Sequence, residues 1–158
     1  MIRKTSDHAE YVHEPQFHII FSTHQREPWL GKELRNELWA YMGGTIRALK
    51  GVALVVNGWE DHVHLLVGLR PDHRISDVVR ELKKASTVHV QELDRKSGFR
   101  WQEGYYAFTV SSDDIPRVRS YIAGQEEHHA HGKTPSFLDE LKIFLQENQV
   151  DFDPKYLE

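Results

Sequence analysis

The chain of 158 residues contains no cysteine, which removes thiol nucleophiles, disulfide staples and thiolate metal sites together. It also lacks any apolar run approaching the roughly 20 residues that a membrane-spanning helix needs. None of the glycine-rich loops that cradle nucleotide phosphates occurs, so no nucleotide cofactor is expected. Met1 to Pro15 is polar and has no apolar stretch of the secretory-leader kind, and a cytoplasmic protein is the expectation. Repeats and low-complexity segments are missing too. Excess positive charge is the last absence: the formal net charge is −4, whereas a nucleic-acid binder must neutralise phosphates with Lys and Arg.

The distribution of charge softens that last objection. From Arg70 to Arg100 eight basic residues face five acidic ones, while from Glu126 to Glu158 eight acidic residues face three lysines. A basic middle and an acidic tail suit either DNA contact or a solvated helix face.

The apolar and charged fractions, 39% and 28%, are those of an ordinary globular domain, and the length suffices for one core. Gln16 to Ser22 is rich in β-formers and reads as a strand. Glu33 to Leu49 follows helical spacing at Leu34, Leu38, Tyr41, Met42, Thr45 and Leu49. Val52 to Val56 and His62 to Leu69 read as two further strands, joined by a turn at Asn57-Gly58. Ile75 to Leu93 is helical, Tyr105 to Val110 a fourth strand. Ser111 and Asp114 stand at capping-box spacing before a helix expected to run to about His129. A break from Gly132 to Ser136 precedes a last amphipathic helix carrying Phe137, Leu138, Leu141, Phe144 and Leu145. The order β-α-β-β-α-β is that of an α+β, ferredoxin-like split βαβ fold. It implies a four-stranded antiparallel sheet with helices on one face, followed by C-terminal helices.

Two short patterns carry chemistry. His62 and His64 flank Val63 in the third strand, so both imidazoles project to one face. A same-face pair suits a divalent metal and equally suits half-buried, hydrogen-bonded histidines. Tyr121 and Gln125 lie one helical turn apart, at the edge of the stripe made by Ile115, Val118 and Ile122. The amide oxygen of Gln125 is a possible third ligand, but a boundary tyrosine packing its ring has the same spacing. Asp61 is placed to orient a histidine as an outer carboxylate, and an Asp opening a strand is also commonplace. Lys83, Lys84 and Ser86 share a helix and are candidates for DNA contact. Trp101 and Tyr105 suit base stacking or, preferably, core packing. For His128, His129 and His131 near a helix end, capping or DNA contact is preferred to metal binding.

Taken in order, these segments resemble a known family. Asp61-His62-Val63-His64-Leu65-Leu66-Val67 is similar to the HUH motif, in which U is a bulky hydrophobe. Tyr121-Ile122-x-x-Gln125-x-x-His128-His129 resembles the nucleophile helix of single-tyrosine HUH transposases. Phe17 to Thr23, Leu82 to Ser86, Trp101 to Tyr105, Phe137 to Leu141 and Tyr156-Leu157 extend the likeness over Gln16 to Leu157. The family is the insertion-sequence 200/605 type, including the transposases associated with repetitive palindromes.

The resemblance implies a metal-dependent enzyme that nicks single-stranded DNA and transfers the strand. Mg²⁺ or Mn²⁺ would sit on His62, His64 and Gln125, and Tyr121 would form a 5′-phosphotyrosine. It implies DNA with hairpin or palindromic ends, and a homodimer whose tyrosine helix completes the partner's site. The division that follows is a polar arm over 1–15, the HUH domain over 16–131 and a helical tail over 132–158. Gly124, inside the expected tyrosine helix, is either a flexible joint or a point of close packing.

The rival reading is a non-catalytic RNA- or single-stranded-DNA-binding module, because RNA-recognition domains share the layout; those present aromatics where this chain presents histidines. A two-histidine phosphoesterase needs a second His-x-Ser/Thr motif, which is missing. A His-x-His amidohydrolase barrel needs about 250 residues.

Overall fold

The computed structural model of the chain describes residues 14–95, 98–130 and 136–150. Most of the polar arm, the break after Ala130 and the segment holding Tyr156-Leu157 lie outside them. Four antiparallel strands form one sheet: β1 (Gln16–Ser22), β2 (Val52–Gly58), β3 (His62–Gly68) and β4 (Tyr106–Val110). Their spatial order is β2-β3-β1-β4. Helix α1 (Lys32–Ala48) connects β1 to β2, and α2 (Ile75–Leu93) connects β3 to β4. Three helices follow: α3 (Ile115–Ala123), α4 (Gln125–Ala130) and α5 (Phe137–Glu147). This is the expected split βαβ topology. Among the described residues no helix is long and apolar enough to cross a membrane.

Side-chain alternation gives the sheet two different faces. Ile19 and Phe21 of β1, with Val63, Leu65 and Val67 of β3, join the main core beneath α1 and α2. From those helices Leu38, Met42, Ile46, Val79 and Leu82 complete it, all 2% exposed or less. The opposite face carries His18, Ile20, His62, His64 and Leu66. There α3 sets Val118 and Ile122 against Leu54 and Leu66. Beside it α5 sets Phe137, Leu141, Phe144 and Leu145 against Ile20 and Phe108. Both faces are therefore roofed, and β3 is buried along its whole length. A base-stacking module of the RNA-recognition kind needs this second face open.

Local differences from the sequence expectation have physical causes. Asn57 and Gly58 are the last residues of β2, paired with His64 and Val63, and the reversal falls at Trp59 to Asp61. A Cβ on Gly58 would collide with the His62 carbonyl oxygen, so the glycine serves close strand approach rather than a turn. A β-bulge between Ala53 and Val55 lets both Leu54 and Val55 join the cluster beneath α3.

Ser111 does not cap α3; its hydroxyl donates to Asp114 Oδ2 at 3.4 Å, and a 3₁₀ turn at Ser112–Asp114 leads into the helix. The single helix expected to His129 is two, α3 and α4, divided at Gly124. On α1 the buried stripe is rotated toward Trp39 and Ile46. Tyr41 stays 40% exposed and stacks on His89 with ring centroids 4.1 Å apart.

Candidate active site

The register of the sheet builds the site. His64 pairs with Ile20 and Asn57, and His62 with Ser22, which places both imidazoles mid-sheet on the α3 side. Neither ring is exposed. Asn57 Nδ2 donates to the Ala123 carbonyl at 3.2 Å, tying β2 to the end of α3 just where Tyr121 and Gln125 must be aimed. The Tyr121 ring lies at 6.0 Å, nearly perpendicular, from that of His64. The sequence-assigned residues His62, His64, Tyr121 and Gln125 thus meet in one place.

What joins them was not anticipated. Glu140 on α5 is 1% exposed and sits at the centre of the cluster. Its Oε2 lies 3.2 Å from His62 Nε2 and 3.3 Å from His129 Nε2, and its Oε1 lies 3.1 Å from His64 Nε2. The Tyr121 hydroxyl and the Gln125 amide both donate to Oε1. His129 belongs here too, 3.2 Å from Gln125 Oε1, rather than to the helix cap or DNA surface that its sequence position suggests. In sequence Glu140 falls in the Phe137-Leu138-x-Glu140-Leu141 segment of the family likeness and in the first turn of a helix, where the dipole favours an acid, but neither gives it a role in the site. The docking of α5 does.

Hydrogen-bond roles follow from what each partner can do. A carboxylate accepts only, so His62 Nδ1 donates to Asp61 Oδ1 at 2.7 Å. That leaves His62 Nε2 aimed at two more acceptors, Glu140 Oε2 and Gln125 Oε1, the latter at 3.0 Å. His64 Nδ1 lies 2.8 Å from His18 Nε2. His64 Nε2, fully buried, makes no aligned hydrogen bond. Ring nitrogens and oxygens facing one another in this way require a positive charge between them, either a proton or a metal ion.

The protonation tendencies agree. Burial works against an imidazolium at His62, but Asp61 and Glu140 outweigh it and raise the group to about 9. Burial lowers His64, and burial together with His64 lowers His18. For Glu140, burial alone would raise the carboxyl; the imidazoles of His64, His129 and His62 reverse this and hold it far below its usual range. Burial and the Glu140 carboxylate push the Tyr121 phenol well above its usual range, so that hydroxyl is protonated.

This donor set fits a divalent cation. Among the described residues, His62, His129 and Glu140 place one ligand atom each within 4.8 Å of one another. An octahedral ion with bonds of about 2.1 Å has adjacent ligands roughly 3 Å apart, close to the 3.0 Å from His62 Nε2 to Gln125 Oε1 and the 3.2 Å from His62 Nε2 to Glu140 Oε2; His64 Nε2 approaches the other carboxylate oxygen, Oε1, at 3.1 Å. Imidazoles, a carboxylate and an amide oxygen are suitable for Mn²⁺, and the oxygens for Mg²⁺.

The remaining candidates are dispersed. Ser86 is fully buried; its hydroxyl donates to Leu82 O at 2.6 Å and accepts from Trp101 Nε1 at 2.9 Å. Core hydrogen bonding removes it from any surface that DNA touches, and Trp101 is likewise core, edge-on to Phe21. Lys83 is half-buried, donating to Gln102 O at 2.7 Å and Gly104 O at 2.6 Å, and burial lowers it to about 8. Lys84 is exposed, as is Tyr105. Within this single chain Tyr121 lies beside its own His64.

Comparison with known proteins bears on this geometry. The profile of the family described as "Transposase IS200 like" matches residues 11–125. The chain is 30% identical to the ISDra2 transposase TnpA of Deinococcus radiodurans over 124 residues, covering 74% of this chain and 88% of that one. It is 27% identical to the transposase for insertion sequence element IS200 of Salmonella typhimurium, covering 75% and 81%. A crystal structure assigned as a transposase from Deinococcus radiodurans R1 superimposes with a TM-score of 0.59 at 26% identity. It covers 78% of this chain and 98% of its own. A REP-associated tyrosine transposase bound to a REP hairpin shares the fold, with a TM-score of 0.57 at 18% identity and 88% and 79% covered.

Proposed function

The chain belongs to the IS200-like transposase family, and from that premise we propose that it is a DNA transposase that nicks and rejoins single-stranded DNA through Tyr121, assisted by Mg²⁺ or Mn²⁺. The observation that carries the reading is the convergence of the Tyr121 hydroxyl, both strand histidines and Gln125 on one buried point. His62, His64 and Gln125 would hold the cation, which when bound supplies Lewis-acid stabilisation of charge on a phosphate.

Tyr121 attacks phosphorus: its oxygen forms the new P–O bond, the bond to the 3′ oxygen breaks, and the proton lost by the phenol is matched by the one the departing 3′ oxygen gains. The products are a 5′-phosphotyrosine and a free 3′-hydroxyl. Because the phosphotyrosine is itself a diester, a second 3′-hydroxyl reverses the step and joins new ends without a nucleotide cofactor. Asp61 and His18 orient the two strand histidines through their far ring nitrogens. The α5 roof covers the ligands, so an incoming strand must displace that helix or thread beside it.

DNA with hairpin or palindromic ends is the proposed substrate, with Lys84 among the residues available to phosphates. Association into a homodimer belongs to the same proposal, since β2 and β4 are sheet edges within one chain. The test is covalent capture. With Mn²⁺ and single-stranded DNA bearing the native element end, the protein should form an adduct that survives denaturant and is lost with chelator. Tyr121→Phe keeps the ring packing and should abolish the adduct. An undiminished adduct in that variant assigns the nucleophile elsewhere.

A further inference from the structure

We propose that Glu140 is a direct ligand of the divalent cation in the DNA-free protein, so that loading the metal clamps α5 onto the sheet. The inference rests on the metal reading of His62 and His64 and extends it to a residue from the last helix. Three observations carry it.

First, both carboxylate oxygens are committed to the ligand cluster: Oε1 at 3.1 Å from His64 Nε2, Oε2 at 3.2 Å from His62 Nε2 and 3.3 Å from His129 Nε2. A carboxylate serving only α5 would point to solvent or to the helix N-terminus. This one lies at the far side of the helix from water, 1% exposed.

Second, the groups converge where a divalent cation can replace a proton. With Nδ1 of His62 donating to Asp61, its Nε2 faces two oxygens, Gln125 Oε1 at 3.0 Å and Glu140 Oε2 at 3.2 Å. His64 Nε2 faces Glu140 Oε1 at 3.1 Å without an aligned hydrogen bond, while its Nδ1 is taken up by His18 Nε2 at 2.8 Å. A divalent cation among His62, His129 and Glu140, whose ligand atoms lie within 4.8 Å of one another, satisfies their lone pairs together. The carboxylate also supplies the negative charge that two imidazoles and an amide cannot, which matters for a hard ion such as Mg²⁺.

Third, α5 is held by apolar contacts on the side flanking the carboxylate. Phe137, Leu141 and Phe144 bracket Glu140 and pack on Ile20 and Phe108. The Phe137 ring stacks on His62 at 4.7 Å and Phe144 lies 4.7 Å from His18. The helix is thus indexed so that its one buried acid meets the histidines.

Two measurements without DNA test the proposal. Calorimetric titration with Mn²⁺ should show affinity falling at least about tenfold in Glu140→Gln, the scale set by disturbing even the supporting groups of a metal site. Hydrogen exchange should show Mn²⁺ slowing the α5 amides in the wild type and leaving them unchanged in Glu140→Gln. Glu140→Asp shortens the reach while keeping the charge and should recover part of both effects. His62→Ala is the reference for the underlying site. If His62→Ala loses Mn²⁺ binding while Glu140→Gln binds as tightly as the wild type, the ligand role of Glu140 is wrong and the metal reading stands. If both variants bind as the wild type does, the metal site itself lies elsewhere. A Glu140→Gln protein that has lost its fold would show fast exchange in β3 as well as α5, and Glu140→Asp then decides: unchanged affinity and metal-insensitive α5 amides in that variant overturn the proposal.

Discussion

His18 shows how much of the site's chemistry sits one residue behind the obvious ligands. It is 1% exposed and contacts His64 through Nε2 to Nδ1 at 2.8 Å. A neutral imidazole has one donor and one acceptor nitrogen, so this contact decides which nitrogen of His64 is free to bind a metal. Replacing His18 with Phe keeps a ring against Phe108 and Phe144 but leaves His64 Nδ1 without a partner. The fold should persist, because the substitute is apolar in an aromatic neighbourhood. Mn²⁺ affinity should fall about 10- to 100-fold, as it does when supporting hydrogen bonds to ligand histidines are removed elsewhere. His18→Gln, which offers a carbonyl oxygen to the Nδ1 proton, should restore part of it. Equal affinity in all three proteins would show that the tautomer of His64 is set by something other than His18.

At the scale of elements, Gly124 separates α3 from α4 and so fixes how Tyr121 and Gln125 are aimed. Its φ of −88° and ψ of 7° lie where any residue is allowed, so backbone freedom does not explain the glycine. A Cβ there would be crowded only by His128 Nε2 at 3.0 Å and Cδ2 at 3.2 Å, the end of a movable, partly exposed ring. Gly124→Ala should therefore raise stability by about 0.5 kcal/mol, the scale of removing glycine's unfolded-chain freedom at a compatible backbone, and leave adduct formation intact. A fall in melting temperature would mean that His128 is fixed in place.

The same elements show what the sequence made legible. Strands, helices and the His-x-His pair follow from local alternation, and Tyr121 with Gln125 from one helical turn, so each could be read without knowing what packs where. Asn57-Gly58 misled because turn propensity was overridden by pairing with β3. Glu140, His18 and His129 stayed hidden because their roles depend on three separate elements meeting. Ser86 looked available on its helix and proved to be a hydrogen-bond anchor for Trp101 in the core.

For the whole molecule, the decisive matter is which chain supplies the tyrosine. Helix α3 packs on β2 and β3 of its own chain through Val118 and Ile122 against Leu54 and Leu66, and Asn57 holds its last carbonyl. Ile122 is fully buried on its own sheet, which is worth about 1.5–3 kcal/mol, and Tyr121 and Gln125 are hydrogen-bonded to Glu140 of the same chain. A reciprocal exchange would only remake the same contacts on the partner. A DNA-free chain that already satisfies them has no contact to gain by exchange, so each chain should carry a complete site even if two chains pair along a sheet edge. His64→Ala and Tyr121→Phe proteins should each fail to form a covalent adduct. Mixed together, under conditions where tagged subunits are shown to exchange, they should still fail, because no chain then holds an intact histidine pair and an intact tyrosine. Return of the adduct in the mixture would demonstrate that the tyrosine helix crosses to the partner, and the arrangement within a single chain would then be one state of a molecule that works in another.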